Sequence, residues 1–248
     1  MRGLFLTFCA VIMLCAVAAV PQAQAGSFWE GLFSGGPKRN KAVSALSQSD
    51  VQAALREALE MSTQGVVEKL GRAGGFNSDP KIRIPLPAVL QPVDKALKTV
   101  GMGTLTADLE NRLNKAAELA TPKTQQILLE AIRKMTLADA KTILTGPDDA
   151  ATSYLRQQAG AQLKTAMQPV VNKALEEAGA VQAYDLMMAR YQAAMPMMPN
   201  MKANLSDYAT AKAMDGIFYY MAQEEATIRK DPAKATTELV QKVFSALK

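Results

Sequence analysis

Among the carboxylates of this 248-residue chain, Glu224 has the setting that most calls for chemistry. On a helix opening at Ser206 and turning about 100° per residue, Ala213, Ile217, Met221 and Ile228 share an apolar stripe, and Glu224 falls in its middle. A carboxylate there is expected to be at least partly buried, which is costly unless it is partnered. It would then be an acid–base group of raised pKa, or half of an internal ion pair with Arg112 or Arg156. The ion pair is the expectation carried forward. Glu225 and Arg229, four residues apart, read as an ordinary pair on the helix surface.

Other residue types allow other chemistries. Asp148, Asp149, Asp215, Glu224 and Glu225 include the carboxylates a glycoside hydrolase of envelope glycans would need, but no spacing selects a pair. Asp148 and Asp149 more simply serve a helix N-terminus, where negative charge is stabilised. Met195, Met197, Met198 and Met201, with Met187 and Met188 upstream, are soft thioethers suited to Cu(I), and equally suited to filling gaps in a core. Arg83 lies between two isoleucines in a proline-rich stretch, which reads as a binding rim or as a strap. Alternation puts Ile82, Ile84 and Leu86 on one side, so a strap with three apolar pegs is expected.

The absences exclude more. The chain has no histidine, and both its cysteines, Cys9 and Cys15, lie near the N-terminus. Residues 26–248 therefore contain no thiol or imidazole nucleophile, imidazole base, zinc–thiolate site or disulfide. Gly71-Arg72-Ala73-Gly74-Gly75 follows a helix rather than a strand, so it is not a phosphate loop. No catalytic residue and no cofactor is assigned.

Arg2, the apolar run 4–20, Pro21 and Ala23-Gln24-Ala25 have the order of a secretory signal peptide. Cleavage after Ala25 and export to a bacterial periplasm are expected, which leaves a mature chain without a membrane span. Residues 26–46 read as a flexible linker. Its Phe28, Trp29, Leu32 and Phe33 are expected to dock loosely on the domain rather than to bind a bilayer firmly. Residues 47–248 read as a single helical domain. The net charge of +5 comes from interleaved acids and bases, with no run that would track a nucleic acid.

Helical spacing dominates from Ser47 onward. A first helix, capped by Ser49, runs to about Leu70, and a second lies between Pro87 and Val100. Thr104 opens a third with Leu105, Leu109, Leu113 and Ala116 on one face, and Thr121-Pro122 signals a fourth. Thr136 with Asp139 reads as a capping box for a short helix ending at Gly146. The long stretch after Pro147 must be kinked or divided by Pro169. Gly179 ends it, and another helix runs to about Ala194. Ser206 and Asp207 start the next, and Asp231-Pro232 a last one. The fold expected is an all-α, irregular bundle of about eight or nine helices with one extended proline-rich strap.

Several segments carry a resemblance: Ile84-Pro85-Leu86-Pro87, Met135-Thr136-Leu137 with Asp139-Ala140, and Ala150-Ala151-Thr152 with Tyr154-Leu155-Arg156. The longest is Lys212-Ala213-Met214-Asp215-Gly216-Ile217-Phe218-Tyr219, followed by Glu224-Glu225 and Ile228-Arg229. Together they resemble the bacterial domain-of-unknown-function 4197 family. The resemblance implies an exported helical protein and carries over no activity or ligand. It leads to an arginine before the threonine pair near the C-terminus; this chain has Ala235-Thr236-Thr237, so no anion-binding role transfers there.

The function expected is a non-enzymatic module binding a periplasmic protein partner or an amphipathic envelope lipid. Its surface would combine Arg83, Tyr154, Arg156, Asp215, Glu224 and Arg229. A hydrolase using Glu224 with Asp215, and a copper-binding protein using the four methionines, are the alternatives.

Overall fold

The computed structural model describes residues 47–197, 203–234 and 237–246. The signal peptide and linker expected over 1–46 lie outside these residues, as do Met198, Met201, Ala235 and Thr236. Among the described residues there are nine α-helices, three short 3-10 turns and no strand. The helices are α1 (Gln48–Gly71), α2 (Gln91–Thr99), α3 (Gly103–Ala120), α4 (Gln125–Lys134), α5 (Leu137–Thr145), α6 (Ala150–Glu177), α7 (Ala180–Ala194), α8 (Leu205–Lys230) and α9 (Glu238–Ser245). This is the expected all-α bundle. α3, α6 and α8 pack on one another at its centre, α1 lies across α4, α5, α8 and α9, and α2 and α7 cover the far side of α3.

The helix ends show where local signals suffice. Ser47, rather than Ser49, caps α1 by accepting the Asp50 amide at 3.0 Å. The Thr136–Asp139 capping box is formed in both directions. α8 starts on Asn204, whose side chain accepts the Asp207 amide, two residues before the expected signal at Ser206. Asp231-Pro232 leads into the 3-10 turn Pro232–Lys234, and α9 is capped by Thr237. Thr121 is not a cap: its hydroxyl donates back to the Ala117 carbonyl at 2.7 Å, and α3 passes through the 3-10 turn Thr121–Thr124 into α4. α6 runs through Pro169 as one helix rather than dividing there. Gly179 takes a left-handed φ of 71° beyond its end, and a Cβ there would stand 2.3 Å from the Arg112 Nη1 that donates to the Ala178 carbonyl.

The expected strap is present. Residues 83–87 are extended, and Ile82, Ile84 and Leu86 are buried in the core. Each peg contributes about 1.5–3 kcal/mol on burial. What fastens the strap is a polar row on α3, Glu110, Asn114 and Glu118, spaced one turn apart. Asn114 accepts the Ile84 amide at 2.8 Å and donates to the Ile84 carbonyl at 2.9 Å, as a neighbouring strand would. Glu110 accepts the Leu86 amide at 3.0 Å, and Glu118 accepts those of Phe76 and Asn77 at 3.1 Å. Pro85 and Pro87 have no amide hydrogen to leave unpaired on the alternate side.

Candidate functional site

α8 carries three of the expected site residues, Asp215, Glu224 and Arg229, and its burial differs from the stripe drawn through the sequence. Glu224 is exposed, so the burial on which its expected role rested is absent; its neighbour Glu225 is the buried carboxylate. Neither proposed partner reaches Glu224. Arg112 pairs with Asp108 at 2.8 Å, and Arg156 pairs with Asp215 at 3.1 Å.

Glu225 and Arg229 do pair, but inside the protein rather than on the surface. Their side chains are 6% and 8% exposed, and Arg229 donates to Glu225 Oε1 through Nε at 3.0 Å and Nη2 at 2.8 Å. Glu225 also accepts the amides of Ala151 and Thr152 and the Thr152 hydroxyl, each at 2.9 Å. Those two amides open α6, whose own N-cap residue, Asp149, makes no side-chain cap bond. Arg229 in turn donates to the carbonyls of Ile143 at 2.9 Å and Leu144 at 3.3 Å, at the end of α5. One ion pair therefore places a carboxylate on a helix N-terminus and a guanidinium on a helix C-terminus, each the favourable sign. It is a clasp buried between the ends of α5 and α6.

Tyr154 belongs to a different neighbourhood from Arg156. Its hydroxyl donates to Asp139 Oδ2 at 2.9 Å. Burial, then that bond, push the Tyr154 hydroxyl up to about 12. Asp139 is held below the usual carboxylate value, first by the Thr136 hydroxyl and amide and also by Tyr154. A phenol so tied serves the capping box of α5.

Arg83, Arg156 and Asp215 do come together. The outer side of the strap and α8 border an open cleft of about 200 Å³, with Lys81, Arg83 and Pro85 on one wall and Lys212, Asp215 and Tyr219 on the other. Gly216 lies at its base, where a Cβ would stand 2.7 Å from the Phe76 ring; only glycine lets the turn before the strap seat on α8. Arg156 reaches Asp215 from α6 and also lies over the Phe218 ring, 4.7 Å from its centre. Lys212 is 3.9 Å from Asp215, and Arg83 is 3.5 Å from Glu110. Three cations thus meet two carboxylates, and the side chains of these pairs are mostly half exposed. Behind the cleft, Tyr220 donates a hydrogen bond to Asp79, with Lys69 3.6 Å from the centre of its ring. That bond is the main cause holding Asp79 low, and it pushes the Tyr220 hydroxyl up to about 12.

Glu224 borders another groove, of about 390 Å³, with Met61, Thr227 and Lys234. Asp215 and Glu224, nine residues apart on one helix, are separated by about 14 Å along the axis and by about half a turn around it. They do not face a common bond. Of the four methionines, Met195 packs partly buried on the core and Met197 is 96% exposed, while Met187 and Met188 are buried within the core. Among the described residues no group of three or more His, Cys, Asp or Glu could hold a metal ion, and no helix is long and apolar enough to cross a membrane.

The burial of Glu225, the role of the α3 row, and the place of Lys81, Lys212 and Tyr219 in the cleft went unrecognised in the sequence. A signal existed for the first: Ala209, Ala213, Ile217, Met221 and Glu225 follow at strict four-residue intervals, and all are buried. The α3 row has the same four-residue spacing beside Leu109 and Leu113.

Fold and sites together define an all-α bundle with a helix-bound strap, a buried helix-end clasp and a basic cleft between strap and α8. A family model described as a protein of unknown function (DUF4197) matches residues 45–245, and the chain belongs to that family. Searches of the curated proteins and of the solved structures gave no match.

Proposed function

We propose that this is an exported, non-enzymatic binding module of the bacterial envelope, which recognises its partner through the cleft between the strap and α8. One contrast carries the reading. The inward-facing carboxylates Glu118 and Glu225 hold backbone amides, whereas the charged side chains of the cleft remain open to exchange. The cleft is also preorganised, because the strap's backbone is anchored on Glu110 and Asn114 on the side away from it. Export follows from the signal-peptide pattern of residues 1–25.

Site-directed photo-crosslinking in intact cells tests this reading, with the crosslinking residue placed at Tyr219 and, as a control, at the exposed Val181 on α7. A discrete adduct from position 219, absent from position 181 and lost when Lys212→Glu is added, is the expected result. No adduct specific to position 219 would refute the cleft as a recognition surface. Mass spectrometry of the protein recovered from the periplasm should show a chain beginning at Gly26; an uncleaved chain or a cytoplasmic one would refute export.

A further inference from the structure

We propose that the strap–α8 cleft receives a phosphate group, and that Asp215 is the resident counter-ion the phosphate displaces; the proposal rests on the cleft being the recognition surface. The cleft's size comes first. At about 200 Å³ it falls below the roughly 300–1,000 Å³ typical of sites for drug-sized ligands, so it suits one compact polar group. Its apolar lining is Ile82, Pro85 and the Tyr219 ring, too little surface to hold an acyl chain or a bulky apolar ligand.

Charge comes second. Lys81, Arg83 and Lys212 line the cleft and Arg156 reaches its edge, against Asp215 within and Glu110 behind Arg83. An ordinary ion pair would balance one cation with one carboxylate. Here Asp215 is shared between Arg156 at 3.1 Å and Lys212 at 3.9 Å, while Lys81 lies 5.9 Å from the centre of the Tyr219 ring and shares the charge of Asp79 with Lys69. Glu110 gives one oxygen to the Leu86 amide, and its other oxygen stands 3.5 Å from Arg83. The cations are thus gathered but incompletely neutralised, an arrangement that favours an added dianion.

Exchangeability comes third. Arg156 and Asp215 are 51% and 54% exposed, and exposed pairs of this kind hold weakly, so an incoming phosphate can replace a carboxylate that stays tethered nearby. The same Asp215 keeps the empty cleft from being a standing concentration of positive charge. Its removal should therefore strengthen binding, whereas loss of a cation should weaken it. General surface electrostatics predicts these directions but no saturable, position-specific response.

The test is titration of the purified protein with inorganic phosphate and with glycerol phosphate, followed by backbone amide shifts and compared with sodium chloride at equal ionic strength. Saturable shifts confined to residues 81–86 and 212–219 are expected. Lys212→Ala and Arg83→Ala should each weaken binding about fivefold, and Asp215→Asn should tighten it about fivefold, with folding unchanged because all three side chains lie at the surface. Sedimentation with phosphatidylglycerol vesicles, against phosphatidylcholine vesicles, identifies the source. Binding dependent on Lys212 assigns a lipid headgroup, and phosphate binding without vesicle binding assigns a soluble phosphate. Shifts scattered over surface lysines and indifferent to Lys212→Ala and Asp215→Asn would overturn the proposal. If position 219 still crosslinks a partner in that case, the cleft remains a recognition surface for another chemistry; if it does not, both readings fall.

Discussion

α8 carries the carboxylates of two carboxylate–arginine pairs, about three turns apart, and the pairs behave as different devices. Glu225–Arg229 is almost fully buried, and its polar atoms are taken up by the amides that open α6 and the carbonyls that end α5. Asp215–Arg156 is half exposed, held by a single contact at 3.1 Å, and borders an open cleft. Burial separates their roles. A charge removed from water must have every hydrogen-bonding direction satisfied, and a group so satisfied has nothing left to offer a ligand. A charge left in water keeps its partners loosely and exchanges them readily. Reactive-looking residues near α8 therefore divide into those that hold the fold and those available to a partner.

The comparison breaks most sharply at the clasp. Glu225→Ala leaves Arg229 buried without its counter-charge and two amides of α6 unpaired, and should cost about 3–5 kcal/mol in urea unfolding. Replacing both partners, Glu225→Met with Arg229→Leu, should cost less than that single change, since no buried charge is left alone. If Glu225→Ala proves as mild as Arg156→Ala, the two pairs are energetically alike and the distinction fails.

Gly216→Ala comes next. The alanine gains about 1 kcal/mol of helix propensity but drives a methyl into the Phe76 ring, so a net loss of about 1–2 kcal/mol is expected, with the strap displaced and the cleft reshaped. A stabilised variant would show that the strap turn does not seat on α8 as described.

The Asp79–Tyr220 bond gives a pH signature of about 1 kcal/mol at neutral pH. Asp79 is held low, so its contribution is complete above about pH 4 and disappears as pH falls through the lowered folded value. Tyr220 is pushed up to about 12, so its contribution is complete below about pH 10 and disappears as pH rises through that folded value. The stability difference between the protein and Tyr220→Phe should be greatest between those limits and shrink at both ends. A pH-independent difference would argue against the bond.

The smallest effect sharpens the contrast from the exposed side. Asp215→Asn should change stability by less than about 0.5 kcal/mol while altering what the cleft binds. A large loss of stability would make Asp215 a structural residue like Glu225.

Much of the architecture was legible because its causes are local. The Thr136–Asp139 box, Gly179 and the alternating Ile82, Ile84 and Leu86 need only neighbouring residues to act. Glu224 was misplaced because a straight stripe at about 100° per residue is not what neighbours crossing α8 cover. The four-residue row Ala209, Ala213, Ile217, Met221 and Glu225 advances about 40° around the helix at each step, and it is this inclined ridge that the packing buries. The expected site was legible only in part: Arg83, Arg156 and Asp215 meet, while Tyr154 joins α5, Glu224 borders another groove and Arg229 lies inside the clasp.

By itself the sequence determined the all-helical class, the strap and its inward side, most helix limits, and a chain after residue 25 without thiol or imidazole chemistry. Hydrophobic period, caps, prolines and composition act over one or two turns, and so they can be read in order along the chain. Only the tertiary structure decided which carboxylate is buried, which polar row of α3 receives the strap, and which cations gather around Asp215. Those outcomes depend on the angles at which helices distant in sequence cross, and that geometry decides which side chains lose water.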